Sequence, residues 1–113
     1  MQYLLLIAGD ENRLTQLSEA EHQAWGTYTQ DLLASGKLRG GERLRPSATA
    51  TTVRVKDGQR LLSDGPYAET KEQLGGYYVI EATNLDEAVE WASKMPHLER
   101  GGLVEVRPVW EMS

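Results

Sequence analysis

A chain of 113 residues with 40% hydrophobic and 26% charged residues has the balance of one globular domain and enough length to build its own core. It contains no cysteine, which excludes disulfides, thiolate metal sites and a cysteine nucleophile. Twelve Lys and Arg against seventeen Asp and Glu leave a net charge of −5 with no basic block, so nucleic acid is not an expected partner.

The run Tyr3-Leu4-Leu5-Leu6-Ile7-Ala8 lacks the basic flank of a signal peptide and is far too short to span a bilayer. It predicts a buried strand over 2–8 in a soluble, cytoplasmic protein with no membrane contact. Ser18-Glu19-Ala20-Glu21 is a capping box that starts a helix. Leu17, Ala24, Trp25, Tyr28 and Leu32 form its apolar stripe, and Ser35-Gly36 ends it. Glu21 falls within that stripe, and its place in the capping box explains it. Two short strands follow over 38–44 and 50–56. Lys56-Asp57-Gly58-Gln59 is a hairpin turn, after which 60–63 returns as a short strand. Asp64-Gly65-Pro66 is a further turn, 76–82 a strand, and Gly75-Gly76 allows close approach of a backbone or a ligand. Asn84 and Glu87 cap a second helix with Leu85, Ala88, Val89, Ala92 and Met95 on one face, stopped by Pro96. The last strand is expected over 103–110.

This order predicts an α+β, ferredoxin-like split βαβ fold, an antiparallel sheet with both helices on one face. The final strand carries Val104, Val106 and Trp110 on one side and Leu103 and Val109 on the other. Two helices cover only one face, so the second apolar face is expected to meet a second copy in a homodimer.

The segment from Asp64-Gly65-Pro66-Tyr67 through Lys71-Glu72-Gln73-Leu74-Gly75-Gly76-Tyr77-Tyr78 resembles the signature of YCII-related proteins, in the subgroup named for its DGPF motif. Tyr67 stands where that motif has Phe. The ending Val104-Glu105-Val106-Arg107-Pro108-Val109 and the stretch Glu42-Arg43-Leu44-Arg45-Pro46 extend the resemblance over nearly the whole chain. It implies a dimeric α+β barrel. Its fold relatives include muconolactone isomerases and haem-handling monooxygenases, some YCII-like proteins resemble lyases or dehydrochlorinases that use a His–Asp pair, and some DGPF-type proteins are associated with extracytoplasmic-function sigma factors. A shared fold does not by itself transfer a function.

His22 is the first candidate for chemistry, because an imidazole is the usual acid–base group near neutral pH. It lies about 120° from the centre of the apolar stripe, at its edge, where a solvated helix histidine is the plain alternative. Asp31 is on the opposite side of the helix, which leaves Asp64 in the signature loop as the expected partner. Tyr67, Glu69, Lys71 and Glu72 of that loop are candidate ligand contacts, although the loop also reads as a structural latch. Glu105 and Arg107 share a strand face. Arg107 is either half of an ion pair or a clamp for a ligand carboxylate. His22 and His97 lack the close spacing of a metal site, and neither stands out as a haem ligand, so no metal or cofactor is expected. The function expected is binding or transformation of a small polar organic molecule by His22/Asp64 acid–base chemistry, in a cleft between the helix that starts at Ser18, the sheet and the Asp64-Gly65-Pro66-Tyr67 loop, in the manner of a lyase or isomerase. The alternative is a non-catalytic regulatory module for a protein partner such as a sigma factor.

Overall fold

The computed structural model describes residues 1–111. The elements in chain order are β1 (Gln2–Asp10), α1 (Glu11–Thr15), α2 (Glu19–Ala34), β2 (Leu38–Arg43), β3 (Thr51–Lys56), β4 (Gln59–Asp64), β5 (Glu72–Glu81), α3 (Leu85–Ser93) and β6 (Leu103–Pro108). Single 3-10 turns occupy Ser47–Thr49 and Pro96–Arg100. Four strands form an antiparallel sheet in the order β2-β5-β1-β6, and β3 and β4 pair only with each other. No helix among the described residues is long and apolar enough to cross a membrane.

The helix starts follow from local chemistry. Ser18 Oγ accepts from the Glu21 N–H at 3.2 Å, and the Glu21 carboxylate accepts from the Ser18 N–H at 3.1 Å, completing the capping box. Glu21 also pairs with Arg100, which ties the start of α2 to the turn after α3. The Ser18 N–H first, then Arg100, hold its carboxyl below the usual range. Asn84 caps α3 by accepting from the Glu87 N–H at 3.0 Å. Glu87 in turn pairs with Lys37 at 2.7 Å.

Alternation in β1 sets the layers. Tyr3, Leu5 and Ile7 are buried, and they pack with Ile80 of β5, Tyr28 and Leu32 of α2, and Ala88, Ala92 and Met95 around α3. Val104 and Val106 of β6 share this face, as expected. Trp110 does not join them and is 90% exposed. Pro108 pairs with Tyr3, so Trp110 falls past the end of β1 with no sheet beneath it. The strand β5 begins at Glu72 rather than at Gly76, because β1 runs on to Asp10 and supplies partners for Gln73 and Glu72. An extra residue in β5, Gly75, makes a bulge between the pairs Ile7–Gly76 and Ala8–Leu74.

The opposite sheet face carries Leu4, Leu6 and Ala8, paired across to Val79, Tyr77 and Leu74 on one side and to Arg107, Glu105 and Leu103 on the other. The molecule is a slab 18 Å thick, the depth of one sheet and one helix layer. A folded monomer of 12.6 kDa exposes about 6,200 Å². This chain exposes 7996 Å². Its radius of gyration of 15.8 Å exceeds the ~13 Å expected for a compact chain of this length.

His97, which the sequence placed in a loop, is 7% exposed beneath α2. Its ring stacks on Trp25 with centroids 5.4 Å apart, and Nε2 donates to the Leu103 carbonyl at 2.8 Å. Nδ1 is buried with no hydrogen-bond partner. Burial holds its pKa below the ordinary histidine value, opposed by the bond to Leu103.

Truncating the fully buried Leu32 to Ala should cost about 2–5 kcal/mol in urea unfolding. His97 makes stability depend on pH in a definite direction. The unfolded chain takes up a proton near pH 6.5 that the native chain resists, so stability is fully present above that pH. It should fall on acidification by at most about 1.4 kcal/mol per pH unit until the native imidazole titrates. Urea midpoints measured from pH 8 to 5 should show this slope, and His97→Leu should flatten it while lowering the midpoint at pH 8.

Candidate functional site

An aromatic-walled cleft of about 500 Å³, within the range of small-molecule pockets, lies between α2 and the β2–β5 side of the sheet. It exists because two glycines face the helix where side chains would otherwise fill the space. A Cβ on Gly41 would stand 2.6 Å from the Tyr77 carbonyl oxygen, and one on Gly76 would stand 2.9 Å from that of Glu42. The two strands approach too closely there for any side chain, so the cleft has a floor of bare backbone.

Leu14, Leu17, Leu38, Trp25 and Tyr78 supply apolar and aromatic walls. The aromatic side is braced from behind. Trp25 lies between His97, stacked on it, and Tyr28, whose ring meets it edge-on at 5.9 Å. The Tyr78 hydroxyl shares a 2.6 Å hydrogen bond with Thr29 Oγ1. Two polar side chains stand at the perimeter, His22 and Arg43, the latter donating from Nη2 to the Leu14 carbonyl at 3.3 Å, whereas Glu42 borders the cleft by its backbone and shares the opposite sheet face with Tyr77. His22 is exposed on α2 and lines the cleft. An apolar slot with aromatic walls, ringed by an imidazole, a guanidinium and two hydroxyls, can hold a flat ring and move protons at its substituents.

A second cleft of about 510 Å³ is polar and lies where the signature loop meets the start of α1. Glu69 and Lys71 line it together with Asp10, Glu11, Ser47 and Gln73. Local hydrogen bonds hold this loop. The Gly65 N–H donates to the Ala50 carbonyl at 2.7 Å, with Gly65 at a φ of 97°. Thr52 Oγ1 donates to the Gly65 carbonyl at 2.8 Å, and the Gln73 amide donates to the carbonyls of Ala68 and Thr70. Ser47 Oγ donates to Glu11 at 2.8 Å, tying the 3-10 turn to α1.

The residues singled out from the sequence therefore separate. His22 lines the aromatic cleft, and Glu69 and Lys71 line the polar one. Asp64, at the end of β4, lines neither, nor do Tyr67, which is 85% exposed, and Glu72, which is paired with Asp10 in the sheet. Arg107 is ion-paired with Glu105 on the uncovered sheet face. Within one chain, His22 and Asp64 do not share a cleft. Sequence reasoning did not assign Trp25, Thr29, Arg43 or Tyr78 to a site. The available signal was the Gly40-Gly41 and Gly75-Gly76 pairs in neighbouring strands. Among the described residues, no group of three His, Cys, Asp or Glu side chains is placed to hold a metal ion.

Over 114 residues, covering 96% of this chain and 92% of the relative, the sequence is 35% identical to the uncharacterised protein R00369 of Rhizobium meliloti (strain 1021). The fold is similar to that of 5-chloro-2-hydroxyhydroquinone dehydrochlorinase (TftG) from Burkholderia phenoliruptrix AC1100, solved in complex with 2,5-dihydroxybenzoquinone. That likeness has a TM-score of 0.56 at 20% identity and covers 100% of this chain and 96% of the other. The model of the YCII-related domain matches residues 1–113, and the chain belongs to that family.

Proposed function

We propose that this chain is the subunit of a homodimer that binds and transforms a small cyclic organic molecule with polar substituents in the cleft between α2 and the sheet. The glycine-floored slot beside Trp25 and Tyr78, with His22 at its edge, carries this reading. A planar ring fits between an aromatic wall and bare backbone, and its oxygen substituents would meet His22, Arg43 and the Thr29–Tyr78 hydroxyl pair. The dihydroxybenzoquinone bound by the dehydrochlorinase of similar fold is a molecule of this kind.

His22 is the acid–base group in this reading. A neutral imidazole accepts a proton from an acidic C–H or O–H of the ring; returning it at a neighbouring atom completes an isomerisation, whereas departure of a substituent with its bonding pair from the adjacent carbon completes an elimination, the proton then passing from His22 to water. Asp64 lies outside the cleft of its own chain, so a His22–Asp64 pair would have to form between subunits. The homodimer is supported by the apolar face of Leu4, Leu6, Val79 and Leu103, which no helix covers. It is also supported by an accessible area about 1,800 Å² above that of a compact monomer. Burying that excess on both copies would remove roughly 3,600 Å², within the range of permanent dimers.

Titration with 2,5-dihydroxybenzoquinone should quench tryptophan fluorescence saturably, and Trp25→Phe should remove most of the quench. His22→Ala should weaken binding about tenfold, close to 1.4 kcal/mol, without lowering the melting temperature. Quenching that stays linear into the millimolar range, or is unaltered by either substitution, would remove the cleft as the site.

A further inference from the structure

The β3–β4 hairpin is an arm without a support in its own chain. Its strands pair only with each other, and every residue from Val53 to Asp64 is exposed. The arm is nevertheless two-faced. Residues paired across it share a side, which places Val53, Val55 and Leu62 together with Arg60, and Arg54, Lys56, Gln59 and Leu61 on the other side. Val53, Val55 and Leu62 are 59%, 72% and 60% exposed. An isolated two-stranded hairpin is marginal in water, and a one-sided apolar stripe has the pattern of a surface that packs against something.

We infer that this hairpin is an intersubunit clasp, with Val53, Val55 and Leu62 packing on a second copy of the chain. The inference rests on the dimer reading above and adds to it a specific element outside the four-stranded sheet. Three observations favour a second copy as the occupant. The excess of about 1,800 Å² over a compact monomer is surface of the size a permanent dimer buries per subunit. Six residues per strand give the arm a reach of about 20 Å, matching the 18 Å thickness of the slab it would have to grip. Arg54, Lys56 and Arg60 outnumber Asp57 and Asp64 in the arm, on a chain of net charge −5, so each arm is drawn to an acidic body. The arm is held at its base by the Gly65–Ala50 and Thr52–Gly65 hydrogen bonds, which fix its direction. Twofold symmetry then makes each subunit both giver and receiver.

Sedimentation equilibrium of the full chain is the test. The unaltered protein should be dimeric at micromolar concentration, and Val55→Glu with Leu62→Glu should raise the dimer dissociation constant at least a hundredfold. The same variant should keep its circular dichroism and its quinone binding. A dimer that tolerates both charges would overturn the clasp and leave the sheet-face dimer standing, whereas an unaltered protein that is monomeric would overturn both. A second measurement does not depend on the charged variant folding. Because the chain has no cysteine, Val55→Cys gives a unique site for a benzophenone maleimide. Illumination should yield a covalent species of twice the chain mass, with the adduct mapping to peptides of the other subunit. Adducts confined to one chain would overturn the clasp.

Discussion

Tyr28 holds the two layers together. Its ring is buried against Trp25, Tyr78 and Trp91, and its hydroxyl donates to the Trp91 carbonyl at 2.9 Å. One side chain on α2 thus touches a cleft wall, the sheet and α3. Burial first, then the neighbouring Tyr78, pushes its phenol above the ordinary tyrosine range, which favours the protonated form that donates to Trp91. With α2 fixed at that point, the glycine-floored stretch of β2 and β5 opens into a cleft, and His22 is carried to its edge.

The family signature and the aromatic cleft have different tasks within one chain. The signature loop spends its hydrogen bonds on itself and on the base of the hairpin, through Gly65, Thr70 and Gln73. The cleft is made by residues dispersed over α1, α2, β2 and β5. A motif dense in charges marks this family clearly, yet its contacts describe a joint between segments as much as a place for a ligand.

What was legible in the sequence was whatever local chemistry decides. The capping box at Ser18 and the cap at Asn84 placed both long helices, and alternation in β6 separated Val104 and Val106 on the core face from Leu103 on the open one, whereas the unbroken apolar run of β1 marked a buried strand without showing which face was which. Trp110 was misplaced because alternation does not reveal where a neighbouring strand ends. Helix α1 was missed because five residues capped by Asp10 leave no periodicity to read. His97 looked like a loop residue because its burial depends on Trp25, seventy-two residues earlier in the chain. The detachment of β3–β4 was equally hidden, since alternating Val and charged residues read the same in an arm as in a sheet edge. The cleft is the furthest from sequence, because it is an absence of side chains between two elements that only tertiary structure brings together.

The joining of β2 to β5 has a consequence for how the fold is acquired. These strands are direct neighbours, with Arg43 opposite Gly76, and everything from 44 to 71 is an excursion that leaves the sheet and returns to the adjacent position. To the folding core it is one closed loop, whose entropic cost rises only with the logarithm of its length. The sheet therefore sets few demands on what the excursion contains. Insertions, deletions and wholesale replacement there would change what the molecule meets while leaving intact how it folds.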